Sequence, residues 1–114
     1  MNDISTNVAF WVLETWRKMA AQLQLNTFKG TEAHRSPAVI VHTNPKSPII
    51  SLVSVDIAGQ NKEWAISLEG ARFMFGVVPD TTPFPEFTEG SWRSFLSISF
   101  PDGRVMTFGE RFEE

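Results

Sequence analysis

The sequence predicts an α+β fold: an N-terminal helix packed on a curved, mostly antiparallel sheet of five to six strands. Three observations carry that expectation. Residues 6–24 repeat apolar side chains at the helical period. From residue 38 onward, short segments alternate apolar and polar side chains. Phe100-Pro101-Asp102-Gly103-Arg104 has the composition of a hairpin turn. At 114 residues the chain is one domain's worth, taken as 1–114.

In the helical segment, Val8, Met19, Val12, Leu23, Trp16, Ala20 and Leu13 fall on one arc, roughly 140° wide at 100° per residue. Glu14, Thr15, Arg17, Lys18 and Gln22 occupy the rest. Ser5 or Thr6 suits the N-cap, and Glu14 precedes Lys18 by one helical turn in the favourable order. Phe10 and Trp11 depart from the stripe, at roughly 200° and 300° from Val8. An aromatic off the stripe either folds over the helix edge or marks a partner surface.

Residues 26–37 (NTFKGTEAHRSP) show no sustained period and read as a connector. Ala38 to His42 is a short β-branched strand, ended by Asn44-Pro45-Lys46-Ser47-Pro48. Ile49 to Ile57 follows, then Trp64, Ile66 and Leu68 alternate with Ala65, Ser67 and Glu69. Phe73, Phe75 and Val77 alternate with Arg72, Met74, Gly76 and Val78 on a strand that is apolar on nearly both sides, which suits the middle of the sheet. In the last hairpin, pairing Phe100 with Arg104 places Ile98 opposite Met106, Leu96 opposite Phe108 and Trp92 opposite Phe112. Ser99 then faces Val105, and Ser97 faces Thr107. Turn chemistry and hydrophobic pattern select the same register.

Composition excludes several chemistries. There are ten Phe and four Trp, but no Cys and no Tyr, so disulfides, thiolate metal sites and phenolic acids are ruled out. The two histidines, His34 and His42, lack metal-ligand spacing, with Asp56 and Glu63 the nearest carboxylates. Serines 51, 54, 67, 94, 97 and 99 have no nucleophile-elbow setting and read as hydroxyls on the solvent side of strands. No glycine-rich phosphate loop occurs. The expectation is no enzyme, no catalytic or metal residues and no cofactor.

Net charge is −3, unevenly spread: residues 1–60 carry five basic and four acidic side chains, residues 61–114 five and nine. No cluster of Lys and Arg is available for phosphates, which disfavours nucleic acid and anionic membranes as direct partners. The start, MNDISTNVAFWVLETWRK, lacks a signal peptide's basic end and long apolar core, so the expected compartment is the cytoplasm.

Residues 79–90 (PDTTPFPEFTEG) combine three prolines, three acids and two aromatics. Asp80, Glu86 and Glu89 can steer a basic partner while Phe84 and Phe87 supply contact area. Together with Trp11 they form the expected partner-binding set. Alternatively, Phe84 and Phe87 anchor the loop to the sheet. In size and charge the chain is similar to small acidic inhibitor or immunity-type proteins. The implied function is a protein-binding module, an inhibitor or neutralising partner of a basic, nuclease-like or nucleic-acid-binding protein. Two other functions are consistent with the residues: a small-molecule domain or cryptic enzyme with an apolar cavity lined by Trp64, Phe73, Phe75 and Trp92, and an assembly subunit.

Overall fold

A computed structural model describes residues 2–29, 32–55, 59–77 and 92–111. Among these, a single helix, α1 (Thr6–Met19), packs against an antiparallel sheet of eight strands. The strands are β1 (Asn2–Ile4), β2 (Leu23–Lys29), β3 (Glu32–Asn44), β4 (Ile49–Val55), β5 (Asn61–Ser67), β6 (Arg72–Val77), β7 (Trp92–Ser99) and β8 (Val105–Arg111). Their spatial order is β1-β6-β7-β8-β2-β3-β4-β5.

The α+β class is as expected, but the strand count of five to six is too low, and the difference lies in two places. Residues 26–29 and 32–37 are not a connector: they belong to β2 and β3, paired from Leu23↔Ala38 to Lys29↔Glu32. The short N-terminal segment also joins the sheet, as β1 beside β6. Consequently β6 is the second strand from an edge rather than the middle of the sheet, which falls to β8 and β2.

Strand β3 joins two halves of the sheet. Its residues 32–38 pair with β2, whereas residues 38–44 pair with β4 on the other side. A bulge between Ile40 and His42 interrupts the second pairing. The helix contacts both β3 and β6, four places apart in the sheet.

Local chemistry defines the ends of α1. The Ser5 hydroxyl accepts the backbone N–H of Val8 at 3.2 Å, an N-cap contact. The sequence pattern continues to residue 24, yet the helix stops at Met19. Ala20 adopts a left-handed conformation with φ 49° and ψ 42°. Its N–H donates to the Arg17 carbonyl at 3.1 Å, and the Ala21 N–H donates to that of Trp16 at 3.0 Å. This Schellman closure releases the chain so that Leu23 and Leu25 can pair with β8 and β3.

The last hairpin follows the predicted register through Leu96↔Phe108, Ser97↔Thr107, Ile98↔Met106 and Ser99↔Val105. Gly103 supplies the positive φ, 93°, and Phe100 N–H donates to the Arg104 carbonyl at 2.9 Å. At the far end a bulge between Trp92 and Ser94 pairs Trp92 with Arg111 instead of Phe112. The extra residue on β7 shifts that end of the ladder by one.

The helix-facing side of the sheet supplies Phe73, Leu96, Ile98, Phe108, Leu23, Leu25, Ile40, Ile50 and Leu52, against Ala9, Phe10, Val12, Leu13 and Trp16. Trp16 meets Phe108 with ring centroids 6.3 Å apart and planes tilted by 56°, a favourable aromatic geometry. Ser54, Ser94 and Ser97 are buried, contrary to the expected solvent positions. Ser54 Oγ accepts the Trp64 indole N–H at 2.8 Å, and Ser94 Oγ donates to Glu110 Oε1 at 3.0 Å. Hydroxyls with partners can be buried at modest cost. On the face away from α1, Phe95 is buried between Gly76 and Gly109, its partners on the two neighbouring strands.

Candidate functional site

The helix is turned relative to the stripe read from its sequence. Its buried residues are Ala9, Phe10, Val12, Leu13 and Trp16. Phe10 is only 4% exposed, whereas Val8 and Met19, expected in the core, are 46% and 52% exposed. The cause is the second half of β3, which approaches the flank of the helix as well as its underside. Phe10 lies toward that flank, while Val8 and Met19 turn away from it. Including Phe10 in the apolar arc would have revealed the rotation, since Val12 to Phe10 forms a continuous arc through Trp16, Ala9 and Leu13.

Trp11 is 70% exposed, the most exposed large hydrophobic side chain among the described residues. Val8 and Met19 share its side of the helix, with Thr15 between them, making a narrow strip at the spacing 8, 11, 15, 19. This strip accounts for three of the six large hydrophobics exposed among the described residues.

Beside the strip lies an open groove of about 540 Å³, lined by Asn7, Phe10, Trp11, Glu14, Thr43 and Pro45. Two turns of α1 form one wall, and the end of β3 with its following turn forms the other. Phe10 supplies an apolar floor because it is pinned in the core. Trp11 forms part of the rim, and the Thr15 hydroxyl donates to its carbonyl at 2.8 Å. The Asn44 side-chain oxygen accepts the Lys46 N–H at 3.1 Å, shaping the turn that presents Pro45.

Glu14 is the charged residue of the groove wall, and it ties helix to sheet. Its carboxylate accepts from the Arg17 guanidinium on one oxygen and from the Thr43 hydroxyl on the other. The Arg17 contact, then the Thr43 contact, hold its carboxyl at about 2, below its ordinary 4.5. Arg17 is correspondingly raised. Glu14 therefore remains ionised and neutralised in place. Lys18 and Lys46 are exposed nearby in sequence, so the groove surroundings carry no surplus of acid among these neighbours.

Of the expected partner-binding residues, Trp11 is placed at this groove. Asp80, Phe84, Glu86, Phe87 and Glu89 lie outside the described residues, as does the 79–90 segment as a whole. The sheet order sets Trp64 on β5, six places from Phe73 and Phe75 on β6. Among the described residues no group of three His, Asp or Glu side chains could hold a metal ion, and no helix is long and apolar enough to cross a membrane. No family model, curated protein or solved structure matches the chain.

Proposed function

We propose that this protein acts by binding another protein, with Trp11 as the anchor and Val8 and Met19 extending the contact along α1. The observation carrying the proposal is the 70% exposure of Trp11 at the rim of a groove whose floor is a fixed aromatic ring. Trp is enriched among residues that dominate binding energy, because its large rigid surface is desolvated with little loss of side-chain freedom. The scaffold favours this use. Glu14 locks the helix to β3, so the groove is preformed and little ordering cost falls on association.

The partner we propose is a basic protein that this chain inhibits or neutralises. The excess of acids in residues 61–114, including Asp80, Glu86 and Glu89, supports attraction at a distance. Phe84 and Phe87 supply further contact area in this scheme. Trp11 then determines how long the complex lasts, and the acids determine how fast it forms.

The test is titration of a partner recovered from the source cells, using wild-type protein, Trp11→Ala, and a triple charge reversal at Asp80, Glu86 and Glu89. Trp11→Ala should raise the dissociation rate by tenfold or more without moving the melting temperature, since hot-spot truncations cost about 2 kcal/mol or more. The charge reversal should slow association and flatten its salt dependence. Unchanged dissociation with Trp11→Ala excludes the groove as the binding surface.

A further inference from the structure

The turn of the β7–β8 hairpin carries the only Asp-Gly pair in the chain, Asp102-Gly103, and no Asn-Gly occurs. The backbone nitrogen after an aspartate can attack the side-chain Cγ, and a glycine there has no Cβ to hinder the approach. The reaction runs from the acid form of the side chain. A bond forms between nitrogen and Cγ, the carboxyl C–O bond breaks, and the hydroxyl leaves with the amide proton as water. The product is a five-membered succinimide. Water then opens the ring at one of its two carbonyls. Breaking the bond from nitrogen to Cγ restores aspartate. Breaking the bond from nitrogen to the backbone carbonyl carbon gives isoaspartate, whose main chain runs through Cβ and Cγ. The water lost in the first step is regained in the second, so the mass is unchanged and no other reactant is consumed.

In the native turn both reacting groups are engaged. The Gly103 N–H donates to the Phe100 carbonyl at 3.1 Å. Asp102 Oδ1 accepts the backbone N–H of Arg104 at 3.0 Å, and Oδ2 accepts its Nε–H at 2.7 Å. The Arg104 guanidinium is itself steadied over the Phe100 ring, 5.1 Å from the centroid. The turn is also backed by the β5–β6 loop, where a Cβ at Gly70 would lie 3.1 Å from Pro101 Cγ. Both charged side chains are more than half exposed, so water reaches the site. We propose that Asp102-Gly103 is an isoaspartate-forming modification site that the native hairpin holds closed, with Arg104 as its guard. Ring closure needs the Gly103 N–H freed from Phe100 and its nitrogen turned onto Cγ. It also needs the carboxylate released from Arg104 and protonated. These conditions meet only when the turn opens, so the rate follows the open population. The product carries one extra backbone carbon in the turn that sets the β7–β8 register, and the closure from Phe100 to Arg104 is lost.

The test incubates the full chain for weeks at neutral pH, folded in buffer or unfolded in guanidinium chloride. The peptide containing residue 102 is then compared by chromatography and mass spectrometry with synthetic aspartate and isoaspartate standards. Wild type, Arg104→Ala and Arg104→Lys would be run side by side, with thermal melts to verify folding. Unfolded wild type should accumulate isoaspartate at 102, and folded wild type should do so more slowly by roughly tenfold or more, the factor being set by hairpin opening. Folded Arg104→Ala should react roughly two- to fivefold faster than folded wild type, the change in open population expected on losing one exposed charge pair. Arg104→Lys keeps the cation without the Nε–H and should fall between them. In denaturant all three should react at the same rate, because Arg104 protects through the fold. Absence of isoaspartate from the unfolded chain overturns the proposal, as does a folded wild type that reacts as fast as the unfolded one. Folded Arg104 variants that both keep the wild-type rate remove Arg104 from its role and overturn it equally.

Discussion

Replacing Phe10 with alanine tests the orientation of α1, and through it the exposure of Val8, Trp11 and Met19. Phe10 is 4% exposed, so truncation removes nearly all of a ring that buries roughly 150–250 Å². At about 25 cal/mol per Å² the loss is about 4–6 kcal/mol, less about 0.5 kcal/mol returned by alanine's better helix propensity. Measured Phe-to-Ala changes in cores cost about 3–5 kcal/mol, and that range is expected here. A domain of this length has a total stability of roughly 6–17 kcal/mol, so the variant should remain folded but visibly weakened. With a urea slope of about 1–3 kcal/mol/M, the unfolding midpoint should fall by roughly 2 M. Val8→Ala and Met19→Ala serve as the contrast. Each removes a side chain that is already about half in water, and alanine's helix propensity offsets part of the loss, so each should cost under about 1 kcal/mol. If Val8→Ala or Met19→Ala costs as much as Phe10→Ala, the helix buries the arc suggested by its sequence stripe. The exposed strip would then not exist, and the binding surface built on it would be wrong.

Three further outcomes follow from the fold. Ala20→Gly should stabilise by about 1 kcal/mol in denaturant melts, because a left-handed φ of 49° strains alanine but not glycine; a helix continuing to residue 24 predicts a loss of similar size instead. Glu14 contributes stability that is fully present above its ordinary 4.5 and is lost as pH falls toward its native value of about 2. Glu14→Gln should therefore flatten the acid limb of the melting-temperature profile across that window. Gly103→Ala should cost about 1 kcal/mol from backbone strain alone, since its φ is 93° and an added Cβ meets no atom within 4 Å; a larger loss would mean that the hairpin register has moved.

The parts of this fold that could be read from the sequence are those whose signals are local. In the 92–111 hairpin, Pro101, Asp102 and Gly103 specify the turn, and the alternation on either side specifies the same register, so the predicted pairing holds until the bulge at Trp92 and Ser94. The 23–38 hairpin sends the opposite signals. Pro37 argues against a central strand, yet it lies in the half of β3 that has β2 on one side and, among the described residues, no partner on the other. A missing N–H is harmless at such an edge. Nothing in the sequence around Pro37 announces that one long strand changes partners at Ala38.

Polarity misleads on β2 for a related reason. Asn26 is buried on the face away from α1, in one cross-strand row with Thr107 and Ser97, which are also buried. Gln24 donates to its side-chain oxygen at 3.1 Å, while Asn26 Nδ2 and Thr107 Oγ1 have no hydrogen-bond partner among the described residues. Two unpaired polar atoms in the middle of a sheet are costly, of order 1–3 kcal/mol each, and sequence patterning assigns such residues to solvent. The same non-local logic governs the candidate site. Phe10 and Trp11 are neighbours with similar side chains, and their helix positions alone make both look stray. Phe10 becomes core and Trp11 becomes surface because β3 approaches one flank of α1 and leaves the other open. The groove is therefore a product of the bulged second half of β3 meeting the first turns of the helix, and Glu14 bonded to Thr43 is the contact that holds the two together.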